Sequence, residues 1–153
     1  MSGVAVASHR FPPRRLQVLF VSYVEDERAM YSVGLRLAGF EIATYANPAL
    51  ALEAAIVGQP DIVVTRLMQP GSDVDGLELT RLLRADSRTR STAVLVVTSR
   101  IAALHRTAAA QAGADALVSL PCGPDELGAE ISRIVVGSAA STQWRRKASQ
   151  DAA

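Results

Sequence analysis

The chain has 153 residues, 49% of them apolar and 20% charged, enough to bury one core and too apolar for a wholly disordered protein. No apolar run approaches the roughly 20 residues of a membrane-crossing helix; the longest, Leu16–Val24, is interrupted by Gln17. The formal net charge of +1 hides a division: Arg10, Arg14 and Arg15 stand without an acid in residues 1–15, Arg145, Arg146 and Lys147 face only Asp151 in residues 138–153, and the segment between is acidic.

A nucleic-acid binder is expected to carry its basic surplus on a folded face rather than in terminal arms, so nucleic acid is not an expected partner. The single cysteine, Cys122, leaves no internal disulfide framework or thiolate zinc cluster and fits a reducing cytoplasm. Arg14-Arg15 opens like a twin-arginine export signal, but the following run ends at Glu25-Asp26-Glu27 with no small-residue cleavage site. A cytoplasmic protein is therefore expected.

Leu16–Val21 reads as a buried strand. Glu25-Asp26-Glu27 then supplies acids suited to a helix N-terminus, and Met30, Val33, Leu35, Leu37 and Ala38 fall near helical spacing before Gly39. Phe40–Tyr45 is a second strand. Asn47-Pro48 places a capping residue and a first-turn proline ahead of an alanine-rich helix that Gly58-Gln59-Pro60 stops. Asp61–Thr65 is a third strand, and Leu77, Leu79, Leu82 and Leu83 mark a helix over residues 76–84. Ala93–Thr98 is a fourth strand, Ala102–Ala112 a helix, Asp115–Ser119 a short fifth strand, and Pro124–Val136 a last helix. Unbroken apolar strands alternating with helices predict a parallel sheet covered on both faces: an α/β, doubly wound, five-stranded sheet of order 2-1-3-4-5. The expected domain is 16–137, between a basic N-terminal arm over 1–15 and a C-terminal tail over 138–153, both flexible.

Ligands of such a sheet gather where the strand order reverses, between the first and third strands. Ser22-Tyr23, Arg66, Thr98-Ser99 and Leu120-Pro121 are delivered there. Pro60-Asp61-Ile62-Val63-Val64-Thr65-Arg66-Leu67-Met68-Gln69-Pro70-Gly71, Asp75-Gly76-Leu77-Glu78-Leu79, Val94-Leu95-Val96-Val97-Thr98-Ser99, Ala112-Gly113-Ala114-Asp115-Ala116 and Leu120-Pro121-Cys122-Gly123-Pro124-Asp125-Glu126-Leu127 follow one another at separations that resemble the receiver domain of bacterial response regulators, over about residues 16–137. The resemblance implies two-component signalling and a flavodoxin-like fold.

It also implies autophosphorylation of an aspartate after the third strand, with Mg²⁺ on an acidic pair and a hydroxyl residue and a lysine on the phosphoryl group. Those positions fall here on Arg66 (phosphoacceptor), Ser22 and Tyr23 (acidic pair), Thr98 (hydroxyl) and Leu120 (lysine). Only Thr98 keeps the family's residue type. The chain's one lysine is Lys147, so no change of register restores it. An arginine charge about 4 Å from a dication is disfavoured by roughly 8 kcal/mol at an effective dielectric near 20. A guanidinium, protonated at any working pH, also cannot accept phosphate as a carboxylate does. The expectation is a degenerate pseudo-receiver with no catalytic residue, metal or cofactor.

Arg66 has three readings: a cation tethering the first and third loops, an anion site shared with Thr98 and Ser99, or a side chain that snorkels to water. Its expected partners are Glu25, Asp26, Asp73 or Asp75, the last two in a loop two residues longer than is usual for the family. The same acids are the candidates for a rescued metal site. Tyr23 is expected to pack or to lie as a lid over the crevice, and Cys122 to be a small buried hydrophobe. Leu117 takes the position of the family's switch aromatic, which puts that switch in doubt. His9 and His105 have no companion ligands. Trp144-Arg145-Arg146-Lys147 suits an acidic partner, a membrane surface, nucleic acid or simple solvation.

Three functions compete. The first is a non-enzymatic pseudo-receiver acting by protein–protein contact through the fourth helix, fifth strand and last helix. Its partner would be a histidine kinase, another regulator or a second copy of itself, and Ala102, Ala103, Ala108, Ala109 and Ala110 would give the helix a smooth surface. The second is a receiver phosphorylated on a displaced carboxylate, and the third a small α/β ligand-binding protein or enzyme.

Overall fold

The computed structural model describes residues 14–137. The segments 1–13 and 138–153, with His9 and Trp144 to Lys147, lie outside the described residues.

Five strands and five helices alternate: β1 (Gln17–Val21), α1 (Glu25–Leu37), β2 (Glu41–Tyr45), α2 (Pro48–Gly58), β3 (Ile62–Arg66), α3 (Gly76–Ala85), β4 (Ala93–Thr98), α4 (Ala103–Ala112), β5 (Ala116–Ser119) and α5 (Pro124–Val136). All pairings are parallel and the order is β2-β1-β3-β4-β5, the topology the strand–helix alternation predicts. Among the described residues no helix is long and apolar enough to cross a membrane.

The two-residue period of a strand divides the core into two layers. Val18, Phe20, Ile62, Val64, Leu95 and Val97 face α1 and α5, where Tyr31, Leu35, Leu127, Ile131 and Ile134 cover them. Leu19, Val21, Val63, Val94 and Val96 face α2, α3 and α4, which supply Ala51, Ala55, Leu79, Leu83 and Ala109. Asn47 caps α2, its side chain accepting from the backbone N–H groups of Ala49 and Leu50. On α4, Ala109 and Ala110 are buried, so the smooth outer surface expected there is confined to exposed Ala102 and Ala103 and half-buried Ala108. The helix that carries these alanines needs its small residues inward as well, to approach the sheet.

At the N-terminal ends of the strands, Arg14 forms a two-pronged ion pair with Asp61 (2.9 and 2.8 Å), and Asp61 also accepts from Gln17 N–H at 2.7 Å. The Arg14 hydrogen bond holds the Asp61 carboxyl below the usual carboxylate range, against an upward push from partial burial. A carboxyl with a lower value in the folded chain stabilises the fold above the ordinary value near 4, and this contribution is lost as pH falls through the folded value. Asp61→Asn should therefore flatten the decline of the urea midpoint between about pH 5 and pH 2. Parallel declines in the two proteins would show that the pair contributes nothing to acid stability.

Candidate functional site

β1 and β3 lie side by side, with β2 beyond β1 and β4 beyond β3, so the crevice opens above the C-terminal ends of β1 and β3. Arg66, the last residue of β3, shares the face of Val64 and Ile62 and projects toward α1. Its guanidinium meets Glu27. Arg66 Nε donates to Oε1 and Oε2 at 3.0 and 3.2 Å, and Nη2 donates to Oε2 at 2.8 Å. Both side chains are largely buried, at 12% and 14% exposure. The hydrogen bond from Arg66 to Glu27 raises the guanidinium pKa above its ordinary value.

Ser22, fully buried, donates its hydroxyl to Glu27 Oε1 at 2.9 Å and accepts from Val24 N–H at 3.1 Å. Arg28 donates to Ser22 O at 2.8 Å, which closes the turn between β1 and α1. Tyr23 is 45% exposed and lays its ring 5.5 Å from the Arg66 guanidinium carbon, a cation–π contact on the outer side of the pair. Thr98 is buried, but its hydroxyl turns to the following loop: it donates to Arg100 O at 3.2 Å and accepts from Arg100 N–H at 3.4 Å. Leu120 and Leu117 are both buried, Leu120 in the layer of α1 and α5 and Leu117 in the opposite layer.

The acid that meets Arg66 is thus Glu27, and the four carboxylates expected there stand elsewhere. Glu25 and Asp26 are exposed on the first turn of α1, Asp73 is exposed in its loop, and Asp75 caps α3 by accepting from Glu78 N–H at 2.8 Å. At about 100° per residue, Glu27 shares an inward stripe with Tyr31 and Leu35, four and eight positions on, whereas Glu25 and Asp26 point away. That four-residue spacing was the signal available for finding it.

Gln69 was not singled out by the sequence pattern and proves to be a buried polar residue of the crevice wall, at 4% exposure. Its Nε2 lies 3.4 Å from each of Val21 O, Thr65 Oγ1 and Arg66 O, while its Oε1 has no hydrogen-bond partner among the described residues. Cys122 is half-buried; burial pushes its thiol pKa up, against a reactive role, and Tyr31 donates its hydroxyl to Cys122 O at 2.5 Å. His105 caps α4, its Nδ1 accepting from Ala102 N–H at 3.2 Å.

These groups do not fit a magnesium ion. Magnesium takes an octahedron of oxygens including one or two carboxylates. Here the crevice carboxylate already has Oε1 shared by Ser22 and Arg66 and Oε2 held by Arg66, and its neighbour is a fixed cation. Among the described residues no group of three acidic, histidine or cysteine side chains is arranged to hold a metal.

The family model for the response regulator receiver domain matches residues 18–132. Transcriptional regulatory protein PrrA of Mycobacterium tuberculosis is 34% identical over 119 residues, which are 78% of this chain and 49% of that protein. Phosphate regulon transcriptional regulatory protein PhoB of Pseudomonas aeruginosa is 29% identical over 115 residues, 73% of this chain and 49% of that protein. The chain thus spans about half the length of these relatives. The chemotaxis response regulator CheY4 of Vibrio cholerae superposes with a TM-score of 0.73 at 25% identity, covering 79% of this chain and 99% of that one.

Two variants test the energetics of the crevice. Glu27→Ala leaves the Arg66 charge buried without its counter-charge and should cost about 3 kcal/mol in urea denaturation, while Glu27→Leu combined with Arg66→Met should recover most of that loss. A loss well under about 1 kcal/mol for the single variant would mean that Arg66 is solvated. Gln69→Met removes the unpartnered Oε1 together with three long Nε2 contacts of 3.4 Å, so the thermal midpoint should hold or rise slightly; a clear fall would show that the carboxamide is well hydrogen-bonded in solution.

Proposed function

The chain belongs to the response regulator receiver family of two-component signalling, and from that premise we propose that it is a pseudo-receiver that signals by docking to proteins without accepting phosphate. One observation carries this reading: the phosphoacceptor position holds Arg66, committed to a largely buried two-pronged bond with Glu27. A phosphoryl-accepting receiver needs an anionic nucleophile and a dication beside it. This crevice offers a cation whose counter-charge is already in place, with a hydroxyl and a phenol where the acidic pair would stand.

The rest of the crevice supports the same conclusion. The Thr98 hydroxyl is engaged with the Arg100 backbone, the lysine position is buried Leu120, and the switch-aromatic position is a leucine packed in the core. Tethered between β3, the β1–α1 turn and α1, Arg66 holds one crevice conformation without chemistry. The docking partner is another signalling protein, a histidine kinase or regulator, or a second copy, and the contact face is α4–β5–α5, where Leu104 stands 76% exposed.

Incubating the full chain with acetyl phosphate and Mg²⁺, then measuring intact mass, tests the reading. The mass should not change, and Arg66→Asp alone should not restore labelling, because carboxylates for the metal and the lysine are still absent. A gain of one phosphoryl group on a carboxylate of the unaltered chain, Asp73 included, would overturn it.

A further inference from the structure

Exposed apolar side chains scattered singly are ordinary on a folded domain, but a row of them along one helix is not. Of the apolar residues that mark α1 in the sequence, only Leu35 turns to the core; Met30, Val33 and Leu37 stand 45%, 60% and 84% exposed. They follow one another at intervals of three and four residues. At about 100° per residue they share an arc of about 60° on the side of the helix away from buried Tyr31 and Leu35. Such spacing is the seam by which one helix packs along another. Helix α1 therefore has two apolar sides, one packed on the sheet and one facing water.

Charge at the two ends of the seam decides what fits on it. Glu25 and Asp26 are exposed in the first turn, and their carboxylates have no hydrogen-bond or ion-pair partner among the described residues. Arg36 is exposed in the last turn, where its guanidinium makes one long contact of 3.4 Å with Ile42 O. A parallel copy of this helix would set like charges side by side, whereas an antiparallel copy sets acid against base and opposes the two helix dipoles. The register that places Met30 of one copy against Val33 of the other brings Arg36 opposite position 27 of the second helix. Asp26 and Glu25 of that helix are then within about 3 Å along the axis, inside the reach of an arginine side chain.

We propose that α1 is a self-docking face, on which two copies of the chain pair antiparallel. Met30, Val33 and Leu37 form the apolar seam, and Arg36 of each copy meets Glu25 and Asp26 of the other. One helix against one helix is a smaller contact than a permanent interface, so the dimer is reversible and is populated at about 100 µM chain and above. The seam lies apart from α4–β5–α5 and leaves that face open to another protein. It does not depend on whether the crevice accepts phosphate.

Sedimentation equilibrium of the full chain from about 10 µM to about 1 mM tests the proposal. The average mass should rise with concentration from one chain toward two. Val33→Glu and Leu37→Glu should each stay monomeric with the thermal midpoint of the unaltered protein, because neither side chain enters the core. Arg36→Glu should weaken association by about tenfold. Adding Glu25→Lys and Asp26→Lys to that variant should restore it, since opposite charges meet again only when the helices run antiparallel. Leu104→Glu on α4 should leave association unchanged. A monomer at every concentration, association that survives Val33→Glu, or association lost in Leu104→Glu would overturn the proposal. So would indifference to Arg36→Glu, or a triple charge variant that folds, as judged by circular dichroism, and fails to recover.

Discussion

Arg66 and Glu27 face each other across the point where the sheet reverses its strand order, one carried by β3 and the other by the first turn of α1. A guanidinium this far from water is costly without a partner, and a carboxylate with both oxygens engaged is no longer free to bind anything else. The pair therefore fixes what its neighbours can do. Ser22 becomes a donor to Glu27, and Tyr23 becomes a wall for the guanidinium. Within the crevice, the buried cation and anion of this pair neutralise each other.

The surrounding fold accommodates that pair at close range. A Cβ on Gly76 would lie 2.2 Å from Arg66 O, so the start of α3 can pass beneath the end of β3 only as glycine. Gly34 makes the same allowance for Pro124, letting α1, the carrier of Glu27, settle against α5. The cost of the arrangement is concentrated at Gln69, whose Oε1 is buried without a partner among the described residues beside the Arg66 carbonyl. Stability resides in the two apolar layers. The crevice is where the polar constraints accumulate, as is usual when a site is built on a fold that serves many functions.

Most of the architecture was legible in the chain because the patterns that define it are local. Apolar runs of five or six residues, Asn47-Pro48 and the glycines after helices placed the elements to within a residue or two, and strand–helix alternation implied the strand order that the sheet has. Where the pattern was read too broadly, packing corrected it: Ala109 and Ala110 of α4 belong to the core. At the crevice, the positions of Ser22, Tyr23, Arg66, Thr98 and Leu120 followed from strand ends. Their partners did not. Glu25 and Asp26 are nearer in sequence to Ser22 and Tyr23, but helical rotation turns them to solvent and brings Glu27 inward with Tyr31 and Leu35.

The amino-acid order alone settled which side chains exist to do chemistry here: a cation at residue 66, hydroxyls at 22 and 98, and no lysine before 147. These are matters of composition at strand ends, and no folding detail can alter them. Only the folded chain decided that the cation is matched by Glu27, that Thr98 turns its hydroxyl to Arg100, and that Gln69 is sealed in the wall. Such pairings join residues up to 48 positions apart. They depend on how each helix is rotated about its axis when it packs on the sheet, and that rotation is set by the whole core at once.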